Sequence, residues 1–187
     1  MQVAIDNIEV LTIEDDFKKL DEWWTGATAK IYKENRLIYN VEIDSNIFYN
    51  GYELIIYENI NNISRININT KGKEESIEET KILLGQYLEG FIPISQKIAD
   101  YFYGNMKDEH WTEFTDLLEG IKWIISSLEF IQVLSNSTAT SYSNLADEIT
   151  ARVTELDQAL QNNEMVLIGD LVNYDLIPLI EKIKLFV

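Results

Sequence analysis

A chain of 187 residues with 46% hydrophobic side chains holds enough apolar material for one large or two small cores, so wholesale disorder is excluded. Its 32 acidic residues against 15 basic ones leave a formal charge of −17, a surface that repels nucleic-acid phosphates and anionic lipids. With no cysteine and a single histidine, disulfides, thiolate chemistry and zinc or histidine-bearing di-iron centres lack their ligands.

The first residues, MQVAIDNIEVLTI, read as a hairpin: Val3 and Ile5 alternate with polar neighbours, and Asp6-Asn7 is turn chemistry. Thr12 and Asp15 resemble an N-terminal capping pair. A helix is then expected to near Asn35, with Phe17, Leu20, Trp24, Ala27 and Ile31 on one face. Trp23 and Trp24 are adjacent, so they cannot both centre on that face. From Leu37 the period changes to two, with Leu37, Tyr39, Val41 and Ile43 sharing a strand face opposite Ile38, Asn40, Glu42 and Asp44. Asn50-Gly51 is a strong hairpin signal, predicting strands on either side at 47–49 and 52–57. A last strand, Ile63 to Thr70, puts Ile66 and Ile68 on one face. This order predicts an α+β chain whose residues 1–70 form a β-grasp-like (ubiquitin-like) ββαβββ domain.

The polar stretch Lys71 to Glu75 reads as the boundary, and Ser76 with Glu79 as a capping box. Residues 76–187 are expected to form an antiparallel four-helix bundle. The first helix has a wide apolar face of Thr80, Leu83, Leu84, Tyr87, Leu88, Phe91, Ile94, Ile98, Tyr101 and Phe102, stopped by Gly104-Asn105. The second, from Asp108 to Leu134, carries the longest stripe: Phe114, Leu117, Leu118, Ile121, Ile124, Ile125, Leu128 and Ile131. Gly120 interrupts it at a cost of about 1 kcal/mol against alanine, offset if another helix approaches closely there. The Ser/Thr-rich run at 135–143 reads as a loop. Leu145, Ile149, Val153, Leu156 and Leu160 mark the third helix; Ile168, Leu171, Leu176, Leu179 and Ile183 mark the last. Two similar segments, FIPISQKI at 91–98 and LIPLIEKI at 176–183, hold the only two prolines, each expected to kink its helix.

Chemistry is sparse. No nucleophile elbow, P-loop, dinucleotide fingerprint or EF-hand loop is present, and His110 beside Trp111 reads as a surface residue at a helix start. Asp175 interrupts the stripe Ile168, Leu171, Leu179 and would be buried in a regular helix, where a carboxylate needs a partner. Bonding to a tyrosine or lysine is the simpler role, a functional one the sharper. Asp175, Tyr174, Trp111 and Trp123 are therefore the candidate interaction or structural residues, with no catalytic, cofactor or metal residue assigned. MQVAIDNIEV has neither a basic region nor a long apolar run, and no stretch approaches the roughly 20 apolar residues of a membrane helix. A cytoplasmic protein is expected.

Two motifs, D-L-x-E-G-x-x-W at Asp116, Leu117, Glu119, Gly120 and Trp123, and G-D-x-x-x-Y-D-x-x-P at Gly169, Asp170, Tyr174, Asp175 and Pro178, bear a resemblance. They are similar to those of a family of uncharacterised Gram-positive bacterial proteins of Bacillus/Clostridium type. The resemblance implies a small N-terminal β domain and a C-terminal helical domain, and carries no activity. The leading functional expectation is a non-enzymatic adaptor, chaperone-like or regulatory protein that binds another protein, with a basic surface as natural complement. An acidic inhibitor mimicking nucleic acid is the alternative, and an enzyme built on carboxylates such as Asp175 the third reading.

Overall fold

The computed structural model describes residues 1–104, 106–135 and 141–187. The chain is α+β and divides into two compact units, Met1–Ser76 and Ile77–Val187. The first holds a five-stranded sheet; the second is mostly helical.

In the first unit β1 (Gln2–Ile5) and β2 (Ile8–Thr12) form an antiparallel hairpin closed at Asp6-Asn7, both at positive φ as a tight two-residue turn requires. The helix cap is Asp16 rather than Thr12: its carboxylate accepts the Lys19 amide at 3.1 Å, and α1 (Phe17–Lys33) begins one residue on. β3 (Arg36–Ile43) and β4 (Asn46–Phe48) turn through Asp44-Ser45, again both at positive φ. β5 (Arg65–Gly72) pairs with β3 and, in parallel, with β1, giving the order β2-β1-β5-β3-β4. Leu20, Ala27 and Ile31 of α1 cover Val3, Val41, Ile43, Ile66 and Ile68 of the sheet. On the opposite face Asn67 donates to Asn69 and Asn69 to Asn40, each at 2.7 Å, so the buried Asn67 and Asn40 are satisfied.

Several expectations fail here. Residues 52–57 are helical, not a strand: α2 (Tyr52–Asn59) starts after Gly51, whose φ of +66° redirects the chain, and a 3-10 turn (Ile60–Asn62) follows. YELIIYEN has no polar–apolar alternation to hold a strand, and only Ile56 in it is buried. In β3 a register shift between Ile38 and Asn40 breaks the parity. Ile38, Val41 and Ile43 therefore pack inward, while Tyr39 is exposed. Lys71 to Glu75 is no irregular linker, because β5 runs to Gly72 and α3 (Lys73–Tyr101) starts at the next residue. Ser76 is then inside that helix, its hydroxyl donating to the Gly72 carbonyl at 2.9 Å.

The helical unit adds α4 (His110–Ser135), α5 (Ser141–Gln161), α6 (Met165–Asp170), a π-helical segment (Leu171–Leu176) and α7 (Ile177–Ile183), the last three running on without a break. Asn105 and residues 136–140 of the expected turn and loop lie outside the described residues; residues 141–143 are helical. One core gathers Leu84, Leu88 and Phe91 of α3, most of the α4 stripe, Leu145 and Ile149 of α5, and Ile168, Leu176 and Ile180 from the last stretch. Pro93 sits within an unbroken α3, whereas Pro178 follows the π segment, in which the Ile177 amide bonds five residues back to Val172. Among the described residues no helix is long and apolar enough to cross a membrane.

Candidate functional site

Leu83, Tyr87 and Ile94 of α3 recur at i, i+4 and i+11, which places them on one side of a helix. The sequence assigned them to the core face, but they are 51%, 39% and 54% exposed. The buried set of α3 (Leu84, Leu88, Phe91, Ile98) centres about 75° further round, at 100° per residue. The signal was the width of the apolar arc, broader than one helix face buries. Against Tyr87 stands Trp123 of α4, ring centroids 4.8 Å apart in an edge-on contact. Gly120, one turn earlier in α4, lets Tyr87 and Phe91 lie directly on its backbone.

Below Tyr87 this side opens into a groove with Gly90, Phe91, Ile98 and Leu117 in its walls and Glu113 and Asp116 at its edge. Glu113 accepts from Lys97 at 3.0 Å and from the Tyr101 hydroxyl at 3.3 Å. The lysine contact holds the Glu113 carboxyl below its usual range, and the Tyr101 and Glu113 contacts raise Lys97. His110 is not a surface residue: its ring lies flat on Tyr101, centroids 3.6 Å apart, and is buried. Its Nδ1 accepts the Lys107 amide at 3.3 Å, which occupies one of the unpaired donors ahead of α4.

The four residues marked in the sequence fall in three places. Trp111 packs edge-on against Phe102 and Phe114, and Trp123 lies twelve residues along the same helix, about 18 Å away. Tyr174 and Asp175 are together, in an open groove with Glu148, Arg152, Pro178 and Lys182. Asp175 is exposed, not buried in the stripe. The π segment inserts one residue per turn, so Leu171, Val172 and Leu176 turn inward and Asp175 outward. Asp170 does have a partner: the Tyr103 hydroxyl donates to it at 2.8 Å. Desolvation of that hydroxyl, and then the carboxylate beside it, push the Tyr103 pKa up to about 12. Among the described residues no group of three or more His, Asp or Glu side chains is placed to hold a metal ion.

Together these features define a two-unit α+β protein whose helical unit exposes aromatic and aliphatic side chains beside carboxylates. Residues 79–186 match the family described as a domain of unknown function, DUF8042, and the chain belongs to that family. No curated protein and no solved structure matches it.

Proposed function

We propose that this protein works in the cytoplasm without catalysis of its own, as an adaptor, chaperone-like or regulatory component that binds another protein through its helical unit. The observation that carries the reading is the α3–α4 face: Leu83, Tyr87 and Ile94 exposed beside Trp123, with a groove edged by Glu113 and Asp116. Tyrosine and tryptophan anchors are what protein interfaces concentrate, and their rigid rings lose little entropy on docking. Helical grooves take the apolar side of a partner helix. A charge of −17 favours a partner that carries Lys or Arg around that apolar side and steers its approach. Within this reading the first unit is β-grasp-like, supported by the order β2-β1-β5-β3-β4 and the parallel β1–β5 pair under one helix. The second unit is read as a four-helix bundle, with α6, the π segment and α7 acting as one member.

The test is affinity capture from source cells with quantitative mass spectrometry, comparing the parent with Ile94→Lys. Ile94 is half exposed, so the variant stays folded while reversing the face's character. A partner enriched by the parent and lost with Ile94→Lys, then reconstituted from purified components, is the expected result. A partner retained equally by both places binding elsewhere.

A further inference from the structure

The sheet unit carries a second feature, independent of the helical face. β2 has a strand neighbour on one side only, and every one of its five residues is exposed, Ile8, Val10 and Leu11 among them. An open edge of this kind leaves backbone N–H and C=O groups directed outward, ready to pair with another strand. Between β2 and α1 runs a groove of about 370 Å³, within the range of ligand-holding clefts. Trp23, Ala27 and Ile31 line its α1 side. Its length suits a strand: Glu22 to Glu34 spans about 18 Å of helix, and five strand residues span about 16 Å.

Gly26 is the sharper clue. It sits mid-way along α1, where glycine weakens a helix, and a side chain there would meet nothing within 4 Å. Gly120 and Gly169 are each explained by another helix lying against them; Gly26 has no such neighbour, and it faces the groove. We infer that the β2 edge and the β2–α1 groove form a strand-addition site. Its occupant is an extended segment of a partner protein with alternating apolar side chains and a surplus of Lys or Arg. The backbone of that segment pairs with β2, and its apolar side chains enter the groove over Trp23 and Ala27. The basic preference follows from the groove's charges. Lys30 and Arg36 already face Glu9 at 3.7 Å and Asp6 at 3.4 Å, and two further carboxylates line the groove, Glu34 and Glu22, the latter 3.3 Å from Lys19 outside the lining. The same charge argues against a second copy of this chain, since two β2 edges would bring molecules of −17 together. The bulge in β2, with Glu9 at a φ of +51°, confines regular pairing to Val10–Thr12.

A displayed library of random heptapeptides, panned on the full-length chain, tests the site. Expected are enriched peptides that alternate apolar residues with Lys or Arg. They should protect the outward-facing amides of Val10 and Thr12 from hydrogen exchange, lose at least tenfold in affinity on Gly26→Leu, and be unaffected by Ile94→Lys. Gly26→Leu fills open space and raises helix propensity, so a helical circular dichroism spectrum and a melting temperature no lower than the parent's accompany it. Failure to enrich any peptide overturns the site. So do peptides that bind Gly26→Leu equally well, and protection that falls on α3 and α4. A free protein that sediments as a dimer with β2 protected makes a second copy the occupant, and refutes the inference as well. Because Ile94→Lys and Gly26→Leu report on different units, the helical reading and the strand site fail separately.

Discussion

Gly120→Ala isolates a single packing contact in the helical core. Alanine is the better helix former by about 1 kcal/mol, so at an open position the variant would be more stable than the parent. Here an added Cβ would come within 2.5 Å of Phe91 Cε2 and 3.2 Å of Cδ2, and closer still to the Tyr87 hydroxyl. Tyr87 is 39% exposed and can swing its hydroxyl toward solvent, but Phe91 is 6% exposed and held among core side chains. Displacing it is overpacking, which typically costs about 1–3 kcal/mol. The balance is a loss of about 0–2 kcal/mol, read as a lower midpoint with unchanged slope in urea unfolding. Gly120→Leu keeps most of that propensity gain but drives a far larger side chain against Phe91, and loses more. The decisive control is Phe91→Leu, which removes the atom in closest ring contact, so the alanine penalty must shrink in that background. An increase in unfolding free energy for Gly120→Ala in the parent would refute the close approach.

Three further outcomes follow from the structure. Asp175→Ala changes stability by no more than about 0.5 kcal/mol, because the carboxylate is exposed; a loss above about 2 kcal/mol in thermal or urea unfolding would mean that it is buried. Tyr103 has a folded pKa raised to about 12, above its unfolded value near 10, so its contribution to stability is complete below pH 10 and is lost as pH rises through 12. Tyr103→Phe should flatten that part of the stability–pH curve, and an unchanged curve would show that Tyr103 is not its source. Residues 77–187 expressed alone should give a helical circular dichroism spectrum and a cooperative melt, since the whole helical core cluster falls within them; a non-cooperative melt would show that this core does not stand by itself.

What the sequence made legible was local and periodic. The stripe from Phe114 to Ile131 stands as read, with Leu118 and Ile125 half-buried at its margin, because nothing in α4 disturbs a 3.6-residue period. Asp6-Asn7 turned as its chemistry dictates. Two of the errors share one cause, an irregularity that shifts the phase. A bulge after Ile38 put Ile38 rather than Tyr39 on the inward face with Val41 and Ile43, and six π-helical residues carried Asp175 out to solvent. At Asn50-Gly51 it is Gly51 that takes a positive φ, and it redirects the chain into α2 while Asp44-Ser45 makes the hairpin. Nor could a residue pattern tell which part of the α3 apolar arc lacks a cover, since that depends on where α4 lies. Leu83, Tyr87 and Ile94 are apolar enough for a core and are exposed all the same.

The two motifs that carried the resemblance also take on a physical meaning, and it is about packing. In the first, Gly120 and Trp123 make the bed on which Tyr87 and Phe91 of α3 rest. In the second, Gly169 brings α6 against the other end of α3, where an added Cβ would stand 3.1 Å from the Ala99 carbonyl and 3.0 Å from the Tyr103 ring. Asp170, next in sequence, then accepts the hydroxyl of that same tyrosine. Each motif thus pairs a glycine that admits an aromatic ring of α3 or its C-terminal end with a neighbour that fixes the ring in place. Clamped toward both ends by side chains it did not choose, α3 has little freedom to roll about its axis. Its remaining apolar side, Leu83 to Ile94, is consequently presented at a fixed angle rather than folded in. A fixed, uncovered apolar side is what a docking partner needs, because the cost of arranging it has been met before the partner arrives.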